Sequence, residues 1–264
     1  MVFTEWWISI SMDFKTYYLL KERAHFVDLA TLSDDIIDQL QEKLAKKKSI
    51  NSGDKITVTI ADVAELDIKL YKGYSRAALD HIAQYPHLKV EGIGALYFPK
   101  TENENGRIEL YINTSKKSNN YYKERKFEDF INKSLPKYIK DMLRHEISHA
   151  YEDIISDVAQ YSETENEDDS AYYNSDDEIN AFLMQYLPGE IQHNAVVKHY
   201  LVLAHKAETP EQKAQDINTA TEILLNKLAS QAWVRELSKA NKKWVMKTVY
   251  TYVAEFVDRA KASQ

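Results

Sequence analysis

"DMLRHEISHAYED", residues 141–153, places two histidines four positions apart with a glutamate directly after the first. At about 100° per residue, positions i and i+4 of a helix lie one turn above each other on the same face. Projecting 138–156 this way gathers Ile139, Leu143, Ile147, Ala150, Tyr151 and Ile154 on one broad apolar face and leaves His145 and His149 on the other side. Two neutral imidazole nitrogens about 2 Å from a shared metal are half of a tetrahedral zinc (Zn2+) site. Glu146 is turned about 100° from His145, which suits a base beside the metal rather than a ligand. The competing reading of the same residues is the polar side of an amphipathic helix carrying two surface histidines.

Proline at 136 suits a first helical turn, so this helix is predicted over about 136–157. Before it, "LKVEGIGALYF" (88–98) and "RIELYIN" (107–113) read as two strands, and Asn105-Gly106 between them suits a tight hairpin turn. "KITVTI" (55–60) and "TEWWISISM" (4–12) read as further strands. Residues 14–47 look helical with a restart at Ser33, where an N-cap residue and acids lead and lysines close; residues 61–84 also read as helix, broken at Gly73. After the histidine helix, the acidic stretch 162–178 reads as a solvated loop, since it lacks the glycine-centred pattern of a calcium-binding loop. A second helix begins near Ser175. From Glu190 onward the pattern is helical, with a core stripe at Trp244, Val245, Val249, Tyr252, Val253 and Phe256.

Composition narrows the chemistry. Hydrophobic residues at 44% and charged residues at 28% belong to an ordinary globular chain. Cysteine is absent, so any metal must be held by nitrogen and oxygen. A net charge of -7 and a pI near 5.7 argue against a nucleic-acid surface, and the basic run "KKSNNYYKERK" (116–126) reads as a solvated loop. No apolar stretch reaches membrane-spanning length, and the first residues lack the form of a secretory signal; a cytoplasmic protein with no membrane or nucleic-acid partner is expected.

The His145-Glu146-Ile147-Ser148-His149 pattern on an amphipathic helix preceded by a hairpin resembles the zincin metallopeptidases. The resemblance covers roughly residues 88–188. It implies an α+β fold in which a small mixed sheet packs, edge strand first, on the active-site helix, followed by a largely helical C-terminal part. It also implies that "RIELYIN" is the edge strand that binds extended substrate. A third protein ligand is then required. The metzincin continuation is ruled out, because residues 149–155 read "HAYEDII". The E-x-x-A arrangement of gluzincin-like families is matched by Glu178 and Ala181 in "SDDEINAF" (175–182), which makes Glu178 the implied ligand. Ser175 and Glu178 also spell a capping box, in which the carboxylate would reach back to the serine amide; Asp177, Asp176 and the acids at 163–169 are then the substitutes.

The segment is similar as well to metallopeptidases that cleave mobile-element repressors. It departs from them in having Asn180 before Ala181 rather than after it, and an early Pro188. The layout further resembles short zincin-like proteins encoded by bacteriophages. What the zincin resemblance implies is a zinc metalloendopeptidase acting on a protein or peptide substrate, with Glu146 as general base and His145, His149 and Glu178 as metal ligands. Tyr172, Tyr173, Tyr186, His193 and His199 are open as oxyanion donors. Asp153 and Glu152 are placed to hold an imidazole, and Asp153 reads equally well as a plain solvent-facing carboxylate. Residues 1–188 would form the catalytic part and 189–264 a helical subdomain with room for a protein partner. The alternatives are a catalytically inactive zincin-like binding or structural protein, and a zinc amidase acting on bonds outside proteins.

Overall fold

The computed structural model describes residues 26–47, 49, 51–60, 64–84, 93–101, 104–112, 135, 137–154 and 172–262. The strand expected at 4–12, the helical stretch before residue 26, the basic run 116–126 and the acidic residues 162–171 lie outside them.

Period-two alternation builds the sheet. In β1 (Asp54–Ile60) the residues Ile56, Val58 and Ile60 are buried, and in β2 (Ala64–Lys72) Leu66, Ile68 and Leu70 are. The helix expected over 61–84 is therefore corrected to a strand followed by a short helix, α2 (Arg76–Gln84). Ala, Glu, Leu and Lys in "AELDIKLYK" are good helix formers, but apolar residues at every second position can bury one face only as a strand. Asp67 on the opposite face accepts hydrogen bonds from Lys55 Nζ (3.0 Å) and Thr57 Oγ1 (2.7 Å) of β1. Gly73, at φ 89°, carries the chain out of β2 through a left-handed conformation that glycine adopts freely.

β3 (Ile93–Phe98) and β4 (Gly106–Ile112) pair antiparallel, β1 and β2 pair antiparallel, and β2 runs parallel to β4 with Ile68 opposite Ile108. The order is β1-β2-β4-β3. Two expectations change here. Gly106 lies inside β4, paired with Leu66, so Asn105-Gly106 is not the hairpin turn; the connection is a longer loop tied by Thr101 N to Glu104 O (3.0 Å) and Glu104 N to Thr101 Oγ1 (3.1 Å). And "RIELYIN" is not an edge strand, because β4 is bonded on both sides; among the described strands, β3 is the edge beside the histidine helix.

One face of the sheet is covered by two helices. α1 (Phe26–Ala45) contributes Ile36, Ile37, Leu40 and Leu44, and α3 (Lys137–Ile154) contributes Ile139, Leu143, Ile147 and Ala150, all packed with the inward residues of the strands. The expected helix restart at Ser33 is corrected: the helix runs through it, and Ser33 is fully buried, because the apolar stripe continues unbroken from Leu29 and Ala30 to Leu44. Arg144 of α3, itself buried, bridges to Asp34 of α1 through Nε (3.1 Å) and Nη2 (2.6 Å).

A second core gathers α4 (Asp176–His193), α5 (Ala195–Lys206), α6 (Pro210–Leu228), α7 (Ala232–Glu236) and α8 (Lys239–Ala262). α4 passes through Pro188 without ending, so position 188 lies within a helix. Val245, Val249, Tyr252 and Val253 face this core as expected, with Trp244 packed against it, whereas Phe256 remains 37% exposed and Val257 takes the inward position. Over the described residues the fold is thus mixed α+β, a small four-stranded mixed sheet among a majority of helices. No helix among the described residues is long and apolar enough to cross a membrane.

Candidate metal centre

α3 carries His145 and His149 one turn apart, and α4 lies across that face, so the two imidazoles are buried rather than solvated. The start of α4 settles what Glu178 does. Ser175 is the N-cap: its Oγ accepts from the Glu178 amide at 3.4 Å, while its own amide donates to Tyr172 O at 3.3 Å. The backbone of Glu178 thus serves the cap and its carboxylate is released from the return half of a capping box. That carboxylate crosses to α3. His145 Nε2 stands 3.4 Å from Glu178 Oε2, His149 Nε2 stands 3.5 Å from Oε1, and the two Nε2 atoms are 3.3 Å apart.

These lengths leave room for a metal ion between the two rings and the carboxylate, which meets each ring through a different oxygen. Around an ion 2.0–2.1 Å from nitrogen and oxygen donors in tetrahedral geometry, any two ligand atoms stand about 3.3–3.4 Å apart. Glu178 Oε2 is buried and makes no hydrogen bond, which a cation between the three side chains would remedy. Among the described residues, His145, His149 and Glu178 are the group of three able to hold a metal ion. Asp176, one of the substitutes, is exposed instead.

Electrostatics agree with that assignment. Burial pushes His149 down to about 4 against the charge of Glu178, with His145 adding to the fall, so its ring is held in the neutral form that a metal requires. His145 is also desolvated, but the polar contact and charge of Glu178 outweigh this and raise it. Burial acts upward on Glu178, yet His145, His149 and a hydrogen bond from Tyr172 hold it below the ordinary carboxylate range.

Glu146 is 8% exposed and points to the β3 side of α3, where the Tyr97 backbone amide opposes a rise that burial drives to about 7. A carboxyl group poised near neutrality can both take and return a proton. The strand beside it is pinned: Tyr97 Oη donates to Asp153 Oδ2 at 2.5 Å and the Lys100 amide donates to the same oxygen at 3.0 Å. Asp153 therefore fastens β3 to α3, a correction of the expectation that it holds an imidazole, and Glu152 accepts from Asn180 Nδ2 of α4 (3.4 Å).

No protein-family model, curated protein or solved structure matches the chain. That His145, His149 and Glu178 could hold a metal ion rests on their geometry alone.

Of the five open oxyanion donors, the structure brings Tyr172 to the ligands. Tyr173 packs on Phe182, Tyr186 joins the second core, and His193 and His199 are exposed. Two neighbours were not anticipated from the sequence. Phe182 meets the His145 ring edge-on at 4.8 Å, and Trp233 of α7 stacks on Phe182 at 5.1 Å. Phe182, four residues after Glu178, was discoverable from helical spacing; nothing local to Trp233 marks it.

Proposed function

We propose that the chain is a zinc-dependent metallopeptidase of zincin-like architecture, with His145, His149 and Glu178 as the zinc ligands and Glu146 as the general base. The observation that carries this reading is that His145 Nε2 and His149 Nε2, 3.3 Å apart on one helix, each face a different oxygen of the Glu178 carboxylate on a second helix, at 3.4 and 3.5 Å, beside a carboxyl group of near-neutral pKa. A zinc ion held there would supply Lewis acidity, making water nucleophilic near neutral pH and polarising the scissile carbonyl. Glu146 takes the proton of the attacking water and passes it to the leaving amine. β3 pairs with β4 alone among the described strands, so its outer edge receives an extended peptide by strand addition. Asp153 keeps that edge against α3 through Tyr97 and Lys100.

The test is a pair of measurements on the full chain. Elemental analysis should find about one zinc per chain, lost in His145→Ala and in His149→Ala. Glu146→Gln should retain the metal and lose hydrolysis of a protein substrate by about 100- to 10,000-fold. Equal activity of Glu146→Gln and wild type removes the mechanism.

A second reading is favoured by burial. His145, Glu146, His149 and Glu178 are each no more than 8% exposed, as in a closed structural site. In that reading the metal staples α3 to α4 in a zincin-like protein without activity that serves a larger assembly. It expects zinc binding and metal-dependent stability together with no hydrolysis across a peptide library.

A further inference from the structure

The residue before the α4 cap is tied to a distant part of the chain. Asn174 Nδ2 donates to Glu236 O (2.9 Å), Asn174 Oδ1 accepts from the Ser238 amide (2.6 Å), and Asn241 Nδ2 donates to both Asn174 O (2.9 Å) and Oδ1 (3.1 Å). Ser238 in turn caps α8, its Oγ accepting from the Asn241 amide at 3.1 Å. Two helix caps, Ser175 of α4 and Ser238 of α8, are thus joined back to back through one asparagine side chain. The partners lie 62 to 67 residues downstream, so no local preference explains the joint.

Two contacts that place Glu178 issue from the turn that Asn174 anchors. Ser175 fixes the Glu178 amide and Tyr172 hydrogen-bonds its carboxylate, and Asn174 sits between those two residues in the chain. The same corner reaches the site from another side: Trp233, three residues before Glu236, stacks on the Phe182 ring that abuts His145. We infer that the 233–241 corner is scaffolding for the metal centre and that Asn174 is a positioning residue for the third ligand, acting through Tyr172 and Ser175. The C-terminal helices then set the metal affinity of a site whose ligands all lie upstream of them. This rests on the reading that His145, His149 and Glu178 bind a metal.

The experiment titrates zinc against a chelator of known affinity in the full-length apo protein. Partners one step behind the ligands typically alter metal affinity by about 10- to 100-fold. Asn174→Ala and Asn241→Ala should each weaken zinc binding by about tenfold, at the low end of that range because they act through a turn. Both should also alter the visible spectrum of the cobalt(II)-loaded protein, which reports ligand geometry. The double variant should be little worse than the worse single one, since both remove the same joint. Asn194→Ala is the control. Its side chain caps α5 by accepting from the Val196 and Val197 amides, so it should lower Tm while leaving zinc affinity and the cobalt spectrum unchanged. Should Asn174→Ala fail to fold, Asn241→Ala, at a half-buried position, carries the test alone.

Wild-type zinc affinity in the folded Asn174 or Asn241 variant overturns the inference. So does an equal loss of affinity in Asn194→Ala, which would make the effect one of general destabilisation. Wild-type protein that takes up neither zinc nor cobalt overturns the metal reading itself, and the inference with it.

Discussion

His145 and His149 hold their Nε2 atoms 3.3 Å apart in a buried site, with both oxygens of one carboxylate facing them. With His149 kept neutral, the pair is ready to bind a cation without first losing protons from both rings. Binding to the folded state alone must then stabilise it. Free zinc at one hundred times its dissociation constant should add about 2.7 kcal/mol, a rise in Tm of about 5–10 °C for a chain of this size. Differential scanning calorimetry with and without a chelator checks this, and His149→Ala should abolish the difference.

Glu178 divides its work between backbone and side chain, and two substitutions separate the shares. Glu178→Ala removes the carboxylate but keeps the amide that Ser175 Oγ caps, so zinc binding should fall by at least 100-fold with the start of α4 intact. Ser175→Ala should cost about 1 kcal/mol of stability, the usual penalty for a lost N-cap, while zinc affinity falls by no more than about tenfold. Circular dichroism of the apo forms and metal titration distinguish the two outcomes.

What the sequence disclosed about this site follows from what helical geometry makes local. His145 and His149 were legible because a spacing of four on an amphipathic pattern admits one arrangement. Glu178 was reached only through a family resemblance, since nothing in "SDDEINAF" distinguishes a ligand from a capping glutamate. β2 was misread because the helix propensities of Ala, Glu, Leu and Lys obscured the alternation of Leu66, Ile68 and Leu70. The error over β4 is of another kind. Its place inside the sheet depends on parallel pairing with β2 some forty residues earlier, and a strand's own residues do not state its neighbours. Asn174 and Trp233 were invisible for the same reason: their partners are tertiary.

Glu190 offers a pH-dependent contribution away from the metal. Its carboxylate is partly desolvated, but Lys227 Nζ at 2.6 Å, Asn194 and Lys137 hold its pKa below the ordinary value. A lowered folded-state pKa gives stability that is present above the unfolded value of about 4.3 and lost as pH falls through the folded one. Glu190→Gln should therefore be less stable than wild type at pH 7, by about 0.5–1 kcal/mol because Lys227 is half exposed and screened. The gap should close as pH is lowered below about 4 and shrink in high salt. Urea titrations at several pH values measure it.

Tyr97 and Asp153 join the edge strand to the histidine helix 56 positions away, and this contact should matter more for substrate than for metal. Tyr97→Phe keeps the ring in the core and deletes the donor, leaving Asp153 Oδ2 with the Lys100 amide. A hydrogen bond to a charged acceptor in a partly buried setting is worth about 1.5–3 kcal/mol, so Tm should drop measurably. Zinc affinity should be unchanged, because neither residue is among His145, His149 and Glu178. If β3 is the strand to which an extended peptide adds, loosening its attachment shifts the scissile bond relative to Glu146. A displacement near 1 Å at the reacting centre costs about 100-fold in rate, so kcat/KM on a peptide substrate should fall further than the stability change alone accounts for. Asp153→Asn should follow the same order, and unaltered kcat/KM in a folded, zinc-loaded Tyr97→Phe would place the substrate somewhere other than along β3.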